Sequence, residues 1–161
     1  MILEYYMLRD TQYPPTRSHP SDAGLDLRWT PEEAATRVMG ISAGASVLVP
    51  TGCKFGIPHG YMLEIKNRSS VAHKKQLLVG ACVVDSGYDG EVFVNLHNVG
   101  QQTQYLEAGD KIAQAVVVPV VPVRFVAASD PEIYDWYPIT LSDRGTGALG
   151  STDDTDDEET T

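Results

Sequence analysis

Apolar positions in this chain come in short runs, broken by glycine, proline and asparagine, and most runs alternate with polar residues. In "VVDSGYDGEVFVNLHN", from Val83 to Asn98, the second half places Val92, Val94 and Leu96 on one face. Glu91, Phe93, Asn95 and His97 fall on the other, the period-two signature of a half-buried strand. "ILEYYML", "SVLVPTGCKFGIP" and "YMLEIKN" read as further strands, the last two separated by a Pro-His-Gly turn. "QLLVGACVVD" and "EVFVNLHN" predict the two arms of a hairpin. "KIAQAVVVPVVPVRFV" is long and rich in valine, but Pro119 and Pro122 cannot donate ladder bonds. That predicts an edge strand or a chain crossing to a neighbour. One short helix is expected over Pro31 to Gly40: Thr30 can cap, Pro31 suits the first position, Glu33 completes a capping box and Gly40 ends it. Short strands with frequent Gly and Pro turns predict an all-β barrel or jelly roll, and no internal repeat is visible.

Composition narrows the class. A chain of 161 residues is long enough for one domain with a real core. No apolar run approaches the length of a bilayer span, and "MILEYYMLRD" carries Glu4 and no basic n-region, so neither a membrane protein nor a signal peptide is expected. The two cysteines, Cys53 and Cys82, read as reduced, buried thiols of a cytoplasmic protein, and no His/Cys cluster has zinc spacing. The net charge of −10 is uneven, because "STDDTDDEETT" holds six acids and no base. Removing those six from the 22 acids leaves 16 against 12 bases, which argues against a duplex nucleic-acid binder. The tail reads as a solvated, disordered end.

Three stretches carry chemistry beside the hairpin, where Asp85 ends an apolar strand and Tyr88 follows three residues later. "NRSS", Asn67 to Ser70, sets a fork of donors beside two hydroxyls that can grip phosphate oxygens. "RGTGALGST", Arg144 to Thr152, is glycine-rich, so its backbone N–H groups can approach a polyphosphate while Arg144 meets its charge. "DAGLDL" holds Asp22 and Asp26, which in isolation read as turn residues.

In order along the chain, "DAGLDL", "NRSS", "GACVVDSGYDGEV", "GDKIAQ" and "RGTGALGST" resemble the five motifs of the homotrimeric dUTPase family, over Ala23 to Thr152. The resemblance implies a β jelly roll and a trimer whose active sites are each built from three subunits. It divides the chain into a β domain over 1–143, a mobile glycine-rich arm over 144–152 that closes over a neighbour's site, and an acidic tail over 153–161. It assigns the water that attacks the α-phosphorus of dUTP to Asp85 as general base. It places Tyr88 on the deoxyribose, where it leaves no room for a 2′-hydroxyl. Cys82, Val83, Val84 and Phe93 would read the uracil edge. Arg68, Ser69, Ser70 and Gln114 would hold phosphates. Asp26 would meet the Mg²⁺ shell through water, Arg144 would neutralise the γ-phosphate, and Gly147 to Thr152, with Leu149, Gly150 and Ser151, would wrap base and triphosphate.

The chain departs from the family pattern at several positions. Asn67 stands for the usual proline, Ser70 and Cys82 for frequent glycines, and Lys111 for a common arginine. Leu149, after Ala148, replaces the aromatic residue that stacks on the base, and the stretch from Pro31 to Gly40 looks like an insertion. A dCTP deaminase shares the fold, but Asn95 occupies the position of its proton-shuttling glutamate. A dUTPase-fold regulatory protein, with the insertion and the acidic tail as surfaces for a protein partner, is the alternative of another class.

Overall fold

The computed structural model describes residues 1–10, 13–129 and 131. Eleven strands and one short helix follow in chain order: β1 Glu4–Met7, β2 Gly24–Arg28, β3 Val38–Ile41, β4 Ser46–Pro50, β5 Cys53–Gly56, β6 Tyr61–Lys66, α1 Ser69–Lys75, β7 Leu77–Val79, β8 Val83–Asp85, β9 Phe93–Asn98, β10 Gln104–Glu107 and β11 Lys111–Pro119. A four-stranded sheet has the order β2-β11-β6-β8 and a three-stranded one β4-β9-β7, with β1-β5 and β3-β10 as two-stranded pairs. The named pairings are antiparallel. One apolar cluster joins them, drawing Leu27, Leu63, Ile65, Ile112 and Ala115 from the four-stranded sheet and Val49, Val94, Leu96 and Leu77 from the three-stranded one. Burying such a side chain contributes roughly 1.5–3 kcal/mol. The expected alternation through Val92 and β9 holds: Val92, Val94 and Leu96 are buried, and Phe93 and His97 are exposed. This all-β unit comprises Met1–Pro122; a second begins at Val123.

Three expectations are corrected. No helix forms over 31–37, and Val38–Ile41 is a strand paired with β10. Thr30 is buried and its hydroxyl finds no partner, so the capping box is not made. Ten residues ending in Val-Met-Gly are a marginal helix, and four ladder partners on β10 outweigh it. The helix of the domain is α1 instead, entered from an extended Arg68 and stopped at Gln76, whose φ is 52°. His73, Lys74 and Lys75 in its last turn complement the helix dipole.

The predicted hairpin is split between two sheets. Leu77–Val79 pairs with β9, but after Gly80–Cys82 the chain crosses over and Val83–Asp85 pairs with β6. The amide oxygen of Asn95 accepts from Ala81 N at 3.3 Å and lies 2.8 Å from His97 Nε2, so it occupies the gap where pairing breaks. The valine-rich strand is central rather than an edge over its middle: Gln114–Val116 pairs with β2 on one side and β6 on the other, and Val117–Pro119 with β6 alone. Pro119 sits at its last position, beyond the reach of β2, so its missing N–H costs that neighbour nothing.

Candidate active site

The four-stranded sheet carries the polar residues in register. Asp26 of β2 faces Gln114 of β11, which faces Lys66 of β6. Paired residues share a face, and here it is the outer one, since Leu27, Ala113, Ala115 and Ile65 point into the core. The register of β11 shifts between Lys111 and Ala113, and Ile112 and Ala113 are both fully buried. Two consecutive inward residues break the alternation; this bulge turns Lys111 out to the face of Gln114 and Asp26.

Asp26 is clamped there. Arg68 Nε donates to Oδ1 at 2.7 Å, and Lys111 Nζ lies 2.6 Å from Oδ2. Ser18 Oγ approaches Oδ2 at 3.4 Å. Burial alone would push this carboxyl up, but the hydrogen bond from Lys111 and the charge of Arg68 outweigh it and hold the group below the usual carboxylate range. A depressed carboxylate adds stability above its unfolded value and loses it as pH falls through the folded one, so the clamp is intact at neutral pH.

Around this clamp, Ser18, Asp22, Gly24, Asp26, Arg68, Ser69, Ser70 and Gln114 line one cavity of about 250 Å³. The structure thus brings together the acid, the arginine, both serines and the glutamine singled out in three separate motifs. Asp22 is the turn residue expected, accepting from His19 N at 2.8 Å. Gln114 Nε2 donates to the Asn67 carbonyl at 3.0 Å, which fixes the amide over the cavity. Gly24 is what lets the amide sit there: an added Cβ would stand 2.6 Å from Gln114 Oε1. Oε1 is the far end of a flexible side chain and can move away, but Gln114 Cβ at 3.1 Å cannot, so Gly24→Ala should shift the amide at a modest cost in Tm. We expect a several-fold rise in KM for substrate with kcat less affected; an unchanged KM would separate Gln114 from substrate binding.

The hairpin residues form a second locus. Asp85 O accepts from Tyr88 N at 3.3 Å, and Gly87 between them has φ +88°. This closes a tight turn whose third residue must be left-handed, a glycine position. Tyr88 Oη donates to the Glu91 carbonyl at 2.9 Å. Val83, Tyr88 and Phe93 present exposed apolar surface, 57%, 47% and 38% accessible. Val84 and Cys82 are half-buried. Cys53 is buried, which pushes its thiol up to about 12, and both cysteines are free. Arg144, Leu149, Gly150 and Ser151 lie outside the described residues.

Sequence reasoning missed two features. Lys111 was noted only as a departure; the adjacent apolar pair Ile112-Ala113 was the available sign that a bulge would aim it outward. Arg9 gave no local sign at all. Its fork meets Glu91 through two 2.7 Å bonds, and Gly52 N adds a third to the same carboxylate. This long-range pair ties the loop that carries Tyr88 to the body of the fold.

Among the described residues no three His, Cys, Asp or Glu gather into a metal cage, and no helix is long and apolar enough to cross a membrane. The dUTPase family model matches residues 11–152. The chain is 41% identical over 140 residues to the deoxyuridine 5′-triphosphate nucleotidohydrolase of Gloeobacter violaceus, covering 85% of this chain and 86% of that protein. With its namesake from Bordetella avium it shares 37% over 147 residues, 89% and 91% of the two chains. Its fold is similar to that of a mutant Staphylococcus bacteriophage 80alpha dUTPase with dUpNHpp, at TM-score 0.77, 22% identity and coverage of 94% and 98%. A mutant dUTPase from phage phi11 of S. aureus, described with a structural Mg(II) ion, gives TM-score 0.71 at 22% identity over 82% and 99%. A family match over most of the chain, together with relatives of this identity, makes the chain a member of the dUTPase family.

Proposed function

We propose that the chain hydrolyses dUTP to dUMP and pyrophosphate, as a dUTP diphosphatase that limits uracil in DNA and supplies dUMP. The observation that carries this reading is the convergence of Asp26, Arg68, Ser69, Ser70 and Gln114 on one polar cavity in a member of this family. Arg68 spends only Nε on Asp26, which leaves its two terminal amino groups for phosphate oxygens. The serine hydroxyls and the Gln114 amide add neutral donors. Asp85, at the rim of the Tyr88 turn, takes the proton of the attacking water. The base rests on the exposed apolar surface of Val83 and Phe93. The arm residues Arg144, Leu149, Gly150 and Ser151 close the site from another chain of a homotrimer. Two unpaired cysteines support a reducing, cytoplasmic setting.

The residues present fit Mg²⁺ held mainly by the substrate. This ion prefers phosphates and water to an all-protein cage, and the cavity supplies two carboxylates, Asp22 and Asp26, with no group of three among the described residues. Asp26 Oδ1 accepts from Arg68 and keeps a lone pair for an ion-bound water, while Oδ2 meets both Lys111 and Ser18. When bound, Mg²⁺ would offset the negative charge of the triphosphate.

Pyrophosphate release measured across the deoxynucleoside triphosphates tests the assignment. Mg²⁺-dependent release from dUTP, with dCTP and dTTP near background, is expected; equal rates on all would overturn it. Deamination of dCTP is disfavoured because the Asn95 amide is committed to the fold, its nitrogen donating to Ser46 Oγ at 2.9 Å. Tyr88→Ala should narrow the dUTP/UTP ratio of kcat/KM by about tenfold or more, the scale of a lost steric contact in a specificity pocket. A ratio that stays put would reduce Tyr88 to packing.

A further inference from the structure

Next to the cavity just described, and sharing Arg68 and Ser70 with it, lies another of about 360 Å³, within the range of small-molecule pockets. Arg28, Arg68, Lys74, Lys75 and Lys111 line it, five of the twelve basic residues in a chain of net charge −10. Asp110 is the one acid in its lining, and Val71 and Leu106 supply apolar wall. Local structure gathers the charge. The last turn of α1 contributes two lysines, β2 ends on Arg28, and the β11 bulge aims Lys111 outward.

Donors there outnumber acceptors. Arg28 Nη1 donates to the Gly109 carbonyl at 2.8 Å. Lys75 Nζ donates to the Tyr105 carbonyl at 2.7 Å and to Asp110 at 3.2 Å. Lys111 and Arg68 share Asp26. With the first cavity filled, the terminal amino groups of Arg68 are engaged there; among the described residues, the remaining amino groups of Arg28 and the whole ammonium of exposed Lys74 are left over. Five like charges around one space repel one another, and a multivalent anion relieves that repulsion. The cavity shares Arg68 and Ser70 with the phosphate cavity, so the anion that reaches it first is one released next door.

We propose that this cavity is a second polyphosphate subsite that holds inorganic pyrophosphate while the first cavity is filled. The identity of the anion rests on the dUTP diphosphatase reading; the site itself rests on the cation cluster. The experiment is calorimetric titration of pyrophosphate into the full chain saturated with a non-hydrolysable dUTP analogue, which needs no turnover. Saturable binding is expected with the analogue in place. Lys74→Glu should weaken it about tenfold or more, as for a lost charge-assisted contact. Lys74→Arg should retain it. Lys74 is exposed and, among the described residues, has no hydrogen-bond or ion-pair partner, so Lys74→Arg should keep the wild-type Tm and Lys74→Glu should lower it only slightly, through its contact with the helix dipole. Binding that disappears once the analogue is bound would overturn the proposal, because pyrophosphate would then use only the first cavity. Equal affinity in wild type and Lys74→Glu would overturn it as well. Absence of dUTP turnover alongside saturable pyrophosphate binding would sink the enzymatic reading and leave the subsite standing.

Discussion

Asp85→Asn should lower dUTP turnover by ~10²-fold or more, in the range for loss of a general base. Two acids of the motif set compete for that role, and their surroundings separate them. Asp26 has both oxygens held by cations at 2.7 and 2.6 Å and a carboxyl held below the usual range. Such a group is a weak proton acceptor, committed to fixing Arg68 and Lys111. Asp85 stands exposed at the end of β8, and among the described residues nothing donates to its carboxylate. It is free to accept from water. The amide keeps its size and leaves the turn to Tyr88 intact, because that turn is closed by the Asp85 backbone carbonyl. Dissociation of a non-hydrolysable dUTP analogue should therefore change little while kcat falls, a loss of about 2.7 kcal/mol or more in transition-state stabilisation. Steady-state pyrophosphate release decides the matter: near wild-type kcat would remove Asp85 from the proton transfer.

Much of the site was legible because motif residues sit on strands whose alternation is plain. Val92, just before β9, and Val94 and Leu96 within it face the core, and Gln114 sits outward between buried Ala113 and Ala115 as Asp26 does beside buried Leu27. What stayed hidden depends on long-range choices. Whether Val38–Ile41 becomes strand or helix is settled by β10, more than sixty residues later. The departure of Val83–Asp85 from β9 to β6 is settled by a glycine and by an asparagine amide that takes the vacated space. An added Cβ at Gly80 would meet Asn95 Oδ1 at 2.2 Å and His97 Nε2 at 2.3 Å, so a larger residue at the crossover would have to displace both side chains. Helix α1 is seven residues with two serines and a β-branched valine, too short and too mixed to show a period. Lys111 reaches Asp26 only through a bulge, which pattern reading takes for a defect in the alternation.

Mixing inactive chains should restore activity. Take one chain carrying Asp85→Asn and another truncated before Arg144, each without activity alone. The sheet register supplies the reason. Gln114 faces Lys66, whereas Asp85 faces Met62, four residues back along β6 and two strands away from β11. At ~3.3 Å per residue and ~4.8 Å per strand, their Cα atoms are about 16 Å apart on the same outer face. A general base must come within about 3 Å of the proton it takes, or reach it through one water. Aspartate and glutamine side chains do not close that gap. If Arg68, Ser69, Ser70 and Gln114 hold the phosphates as proposed, the reacting phosphorus should be served by the Asp85 of another subunit, which a cyclic homotrimer with shared sites would supply. If the arm comes from a third chain, equal co-refolding leaves about a quarter of the sites with an intact acid and an intact arm. Light scattering should report about three chain masses for the mixture, and kcat per site should approach that fraction of wild type. Mixed trimers without activity would show that acid and arm must come from one chain, and a fully active monomer would show that the cavity and Asp85 meet within one chain after all.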